Sequence, residues 1–240
     1  MNTLDQLREH SIVVADTADF HAIELFKPID ATTNPSLILK QAQSPITTGL
    51  IEKTQKGLDS GRFESAAVAA LDLSVRFGVE IANRIEGYVS TEVDARLSFN
   101  TERSIEQART IIEKYQEYGI GRDRILIKLA STWEGIQAAK VIESEGIGCN
   151  LTLLFCEAQA VAAANADATL ISPFVGRIFD WFVARGDVPQ PRGLVRRGGH
   201  LVTVRVRVRV TVSVTVRVTV RVGVGPTRRS HGYAQRPGFG

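Results

Sequence analysis

Six short apolar runs alternating with longer helical patterns constrain this chain more than any other feature. The runs are SIVVA (11–15), PIDAT (28–32), GYVSTEV (87–93), RILIKLA (124–130), GCNLTLL (148–154) and ATLISPF (168–174). Each has the length of a strand, and most are rich in β-branched residues. Helical patterns lie between and after them at roughly 35–60, 62–85, 101–118, 132–145, 156–166 and 176–184. Asn34-Pro35 predicts an N-cap with proline at the first helical position, and Ser131 to Glu134 has the S-x-x-E spacing of a capping box. Gly119 and Gly146 are placed to end helices before the next strand.

Strand-then-helix repetition calls for parallel strands joined by helical crossovers. Six units at roughly 30 residues each suit either a doubly wound sheet or a (β/α)8 barrel. No G-x-G-x-x-G or G-x-x-x-x-G-K-[ST] loop follows a strand, so a nucleotide-binding sheet lacks its usual signal. Polar residues favour the barrel: Asp16, Asn34, Glu92, Lys128, Thr152 and Ser172 all lie within or just past a strand. Barrel enzymes build their sites at those strand ends.

The net charge of +3 conceals a division. Residues 1–184 carry a balance of −8, whereas residues 185–240 hold 12 arginines, no lysine and one acid, for +11. Two cysteines, Cys149 and Cys156, make no disulfide framework and pair with no histidines at zinc spacing, so no metal is expected. The N-terminus carries acids early and lacks a signal-like apolar run, and no stretch approaches the length of a membrane helix. A reducing, cytoplasmic setting without membrane attachment is expected.

Lys128 is the most informative residue. It stands inside an apolar run between Ile127 and Leu129, whereas the other six lysines lie in helical or loop patterns open to water. An ammonium in a poorly solvated strand is disfavoured in its charged form, the condition for a Schiff-base nucleophile. The competing reading is a lysine whose stem crosses an apolar layer to a solvated tip. Schiff-base chemistry also needs groups that move protons, and Asp16 and Glu92 are placed at strand ends to do so. Each has an alternative: Asp16 as the cap of the turn D-T-A-D, Glu92 as a partner of Arg96. Asn34 is equally a helix cap, and Ser172-Pro173 a turn.

As literal strings, VVADT, DATTNPSLIL, STEVDARLS, RILIKLAST, CNLTLLF and ISPFVGRI closely resemble the transaldolase family, in this order and spacing, from about residue 4 to 183. The resemblance implies a (β/α)8 TIM-type barrel of the class I aldolase superfamily, here cut to about six β/α units. It also implies transfer of a dihydroxyacetone unit from sedoheptulose 7-phosphate or fructose 6-phosphate to glyceraldehyde 3-phosphate or erythrose 4-phosphate, in the non-oxidative pentose phosphate pathway. Under it Lys128 forms the Schiff base, Asp16 takes the C4 hydroxyl proton, and Glu92 with Thr152 positions a proton-shuttling water. Asn34, Asn150 and Ser172 would hold substrate hydroxyls, and Arg177 the phosphate. No cofactor is implied, because the lysine is the electron sink. A Schiff-base aldolase that cleaves without transfer is the nearest alternative.

The resemblance stops after Phe182, where the family would continue through two more units and a seventh-strand Ser/Arg pair that completes the phosphate site. Residues 202–225 instead place valine at every even position. As one strand these would run roughly 80 Å, and no Gly, Pro, Asn or Asp interrupts Val202–Val222 to form turns. Residues 1–184 are therefore read as an incomplete barrel and 185–240 as an out-of-frame or otherwise corrupted ending. Translating the other two frames beyond codon 183 tests this. The basic tail could bind polyanions through its arginines, though no aromatic side chain interleaves the repeat and no specific nucleic acid is expected. With two exposed edge strands the chain is expected to be unstable or inactive. The resemblance implies a homodimer, and the shortness of the barrel counts against one without settling the oligomeric state.

Overall fold

The computed structural model describes residues 3–185, which fall into two compact units, Met1–Phe174 and a second beginning at Val175. All six expected strands form: β1 (Val14–Asp16), β2 (Asp30–Thr32), β3 (Val89–Glu92), β4 (Ile125–Ala130), β5 (Cys149–Leu154) and β6 (Leu170–Pro173). They make one sheet in the order β1-β2-β3-β4-β5-β6, every pair parallel. Each connection steps to the next neighbour in one direction, so the order never reverses as it does in a doubly wound sheet. The choice left open by periodicity falls to barrel winding, with six parallel strands in a curled arc. Among the described residues β1 and β6 are its edges.

The helices of the first unit are α1 (Thr3–Arg8), α2 (Phe20–Phe26), α3 (Pro35–Ala42), α4 (Thr48–Asp59), α5 (Ala66–Ala82), α6 (Thr101–Glu117), α7 (Trp133–Ser144) and α8 (Glu157–Asn165); α9 (Val175–Ala184) belongs to the second. The pattern expected as one helix over 35–60 is broken. Pro45 forces Ser44 into an extended conformation, ψ 139°, and a 3-10 turn at Pro45–Thr47 separates α3 from α4.

The capping signals are met at Asn34, whose Oδ1 accepts the Leu37 N–H at 2.9 Å with Pro35 at the first position. They are displaced by one residue at α7. Thr132 is the cap there, its Oγ1 accepting the Gly135 N–H at 3.0 Å. Ser131 stays on the strand ladder instead: its N–H and its hydroxyl both donate to the Thr152 carbonyl, at 2.7 and 2.6 Å. Gly119 and Gly146 end α6 and α7 in the left-handed region, φ +80° and +76°. In each case the next N–H reaches back to close the turn, Ile120 to Tyr115 and Ile147 to Ile142.

Strand parity separates two faces. Ala31, Val89, Ile125, Ile127, Leu129, Cys149 and Leu151 are at most 3% exposed and pack in one cluster with Val75 and Ile81 of α5, Ile111 of α6 and Ile142 of α7. Thr91 shares that face, and its hydroxyl meets the buried Tyr115 hydroxyl at 2.5 Å. The opposite parity carries most of the polar strand residues, with Leu126 beside Ser90 an apolar exception. In register run Asp16, Thr32 and Ser90 across β1 to β3, and Glu92, Lys128 and Asn150 across β3 to β5. Among the described residues no helix is long and apolar enough to cross a membrane. The valine repeat and the expected corrupted ending lie outside the described residues, apart from Arg185.

Candidate active site

β4 carries five consecutive buried residues because both its faces are covered, and Lys128 is the one that brings a charge inside. It is 7% exposed. Its ammonium does not reach water along a lipophilic stem: Nζ donates to the Thr33 carbonyl at 3.1 Å and lies 3.6 Å from Glu92 Oε2. Glu92 is directly opposite Lys128 in the β3–β4 register, so the pairing follows from strand alignment.

Burial pushes the Glu92 carboxyl up, Lys128 beside it pulls it down, and the negative charge of Asp16 adds to the upward push. The net result lies above the ordinary glutamate range. Arg96 does not compensate it. Its guanidinium binds Asp94, with Nε 3.0 Å from both carboxylate oxygens, so the alternative Glu92–Arg96 pair does not form. Nor does Asp16 cap the following turn. Asp19 caps α2, accepting from the His21 and Ala22 N–H groups at 3.0 and 3.3 Å. Asp16 ends β1 in an exposed position, close enough to Glu92 for its charge to be felt there.

A second group crosses the same face. Ser172 Oγ donates to Asn150 Oδ1 at 2.7 Å, and Asn150 Nδ2 donates to Ser90 Oγ at 3.0 Å. Asn150 also faces Lys128 in register. Thr152 lies two residues further along β5, its Oγ1 buried and without a hydrogen-bond partner. Immediately after it Leu153 has φ +56°, and the β5–β6 register shifts between Leu151 and Leu154. Such an irregularity re-aims side chains at the end of a strand. Thr32 Oγ1 on β2 is the other buried hydroxyl without a partner among the described residues.

Contacts thus join Lys128 to Glu92 and Asn150 to Ser172, and charge links Asp16 to Glu92. Asn34 follows Thr33 at the start of α3, with its side-chain oxygen engaged as the helix cap. Arg177 lies on α9, in the second unit. Sequence reading missed Ser90 and Thr33. The only signal for Ser90 was its parity with Glu92 in GYVSTEV.

The sequence pattern of the Transaldolase/Fructose-6-phosphate aldolase family matches residues 13–196, past the boundary near 183 expected from the resemblance. Proteins named transaldolase are similar to the chain. That of Nostoc punctiforme is 57% identical over 187 residues, covering 75% of this chain and 56% of that protein. That of Methylococcus capsulatus is 57% identical over 187 residues, covering 75% and 57%. That of Sus scrofa is 56% identical over 190 residues, covering 78% and 56%. The chain spans little more than half the length of these relatives.

Proposed function

Because the chain belongs to the transaldolase/fructose-6-phosphate aldolase family, we propose that its polar sheet face performs Schiff-base transfer of a dihydroxyacetone unit between sugar phosphates. The observation that carries this reading is the buried Lys128 amine, 3.6 Å from the raised carboxyl of Glu92. A carboxyl lifted above its usual range beside an amine is suited to moving protons during the dehydration of a carbinolamine.

Lys128 Nζ adds to the C2 carbonyl of fructose 6-phosphate, and the carbinolamine loses water, with Glu92 and a water held beside Thr152 moving the protons. Asp16 removes the C4 hydroxyl proton. The C3–C4 bond then breaks, glyceraldehyde 3-phosphate leaves, and the electron pair remains on the lysine-bound three-carbon unit as an enamine. That enamine adds to the aldehyde of erythrose 4-phosphate as Asp16 returns its proton to the new hydroxyl, and hydrolysis of the new imine releases sedoheptulose 7-phosphate and frees Lys128. Asn150 and Ser172 hold hydroxyls of the three-carbon unit, with Asn34 at the neighbouring helix start. The buried, unpartnered Thr152 hydroxyl supports the water position, since a buried polar group without a partner costs about 1–3 kcal/mol.

Schiff-base formation and turnover separate in this proposal. The lysine, Glu92 and Asn150 stand together within one unit. We therefore expect an imine to form at Lys128 as the first step, with transfer following from it. Incubation with fructose 6-phosphate and borohydride, followed by peptide mapping, tests the first; release of glyceraldehyde 3-phosphate with and without erythrose 4-phosphate tests the second. Release that is indifferent to the acceptor would favour a cleaving aldolase.

A further inference from the structure

Ser90 has no part in the chemistry described so far, yet two sets of contacts converge on it. Its hydroxyl ends a hydrogen-bonded line over β6, β5 and β3 that passes across β4, the strand of Lys128. Ser172 gives its only hydroxyl proton to Asn150 Oδ1, which turns the amide group of Asn150 toward Ser90. Ser90 Oγ then accepts one of the two Nδ2 protons. The torsion that rotates a carboxamide is broad, so without these partners the Asn150 head group has no single preferred orientation. Ser90 and Asn150 are both buried, at 3% and 2% exposure, where water does not replace a lost partner cheaply.

The backbone of Ser90 reaches the same site from the other side. Its carbonyl accepts the Thr33 N–H at 3.2 Å and the Thr33 hydroxyl at 3.3 Å, and the Thr33 carbonyl accepts from Lys128 Nζ at 3.1 Å. One residue therefore holds the neighbour of the reactive amine through its main chain and the substrate-facing amide through its side chain.

We infer that Ser90 is a positioning residue for the ketose: it locks the Asn150 carboxamide so that the second Nδ2 proton is presented to a hydroxyl of the three-carbon unit bound at Lys128. The inference rests on the Schiff-base reading above. A contact of this kind is made with the bound ketose before and during reaction alike, so its loss weakens binding more than it slows the bound complex.

The test is borohydride trapping on the full chain as fructose 6-phosphate concentration is varied, which needs no turnover. Ser90→Ala is expected to raise the half-saturating concentration about tenfold while the labelling rate at saturation stays within about twofold. Ser90→Thr keeps the hydroxyl on a residue suited to a strand and is expected to return the concentration to within about threefold of the parent. In an Asn150→Ala background, Ser90→Ala is expected to add no further shift, because the group it positions is gone. An unchanged half-saturating concentration in Ser90→Ala would overturn the inference, as would a shift of the same size in the Asn150→Ala background. Thermal melting of each variant separates a loss of fold from a loss of positioning. If the parent gives no adduct at all, the Schiff-base reading fails and this inference with it. If the parent labels and Ser90→Ala is indistinguishable from it, this inference alone fails.

Discussion

Asp72 and Glu92 are carboxylates of the same unit, both withdrawn from water and both next to a lysine, and their surroundings move them in opposite directions. Asp72 lies between α5 and α6 with a side chain 1% exposed, and it accepts from Arg76 Nε at 2.7 Å, the Tyr118 hydroxyl at 3.0 Å and Lys114 Nζ at 3.4 Å. Burial alone would push it up, but these donors and cations hold it below the ordinary aspartate range. Glu92, on the polar face of the sheet, meets one cation at 3.6 Å and the negative charge of Asp16, and burial prevails. A carboxylate that is fully paired stabilises the fold and does nothing else. One left short of partners holds a proton more readily than an ordinary glutamate does.

The largest expected effect is on Lys128 itself. Lys128→Met should abolish the trapped adduct entirely, read by mass spectrometry of the reduced protein. Next comes Asp72→Asn, which leaves two cations around a neutral buried group. It should lose about 3 kcal/mol at neutral pH, measured by denaturant unfolding. The folded Asp72 value is depressed, so its contribution is present above the ordinary aspartate value of about 4 and is lost as pH falls through the folded value. The difference between Asp72→Asn and the parent should therefore close in acid.

Glu92→Gln should slow adduct formation about a hundredfold, the usual scale for loss of a positioned proton donor and acceptor. Its pH trend is opposite in sign to that of Asp72. The folded Glu92 value is raised, so the folded state binds the proton more tightly than the unfolded chain does, and the parent gains on Glu92→Gln as pH falls through that raised value. Parallel slopes for the two variants would break the comparison. The smallest effect belongs to Tyr115→Phe on the helix-facing side. Losing the bond to Thr91 should cost about 1 kcal/mol in stability and leave the adduct rate unchanged.

The six strands were legible because each apolar run is short and bounded, and the burial of β4 on both faces made Lys128 conspicuous. Strand order was not legible from periodicity, since both windings use the same alternation; it follows from pairing between distant residues, such as Glu92 with Lys128. The break after α3 was written in Ser44-Pro45, while α1 and α2, six and seven residues long, carry too few turns for a clear period. Glu92 and Asp16 had local alternatives in Arg96 and in the D-T-A-D turn. Only the observed geometry assigns those roles to Asp94 and Asp19. Ser90 was hidden because a serine in a strand looks alike whether it binds an asparagine sixty residues away or points at a helix.

A Schiff-base centre at Lys128 is tested most directly by reducing the full chain with borohydride in the presence of fructose 6-phosphate and mapping the modified peptide. The expected result is a substrate-dependent adduct on Lys128, absent from Lys128→Met and slowed in Glu92→Gln. An adduct confined to another lysine, or none at saturating ketose in a folded protein, would contradict it.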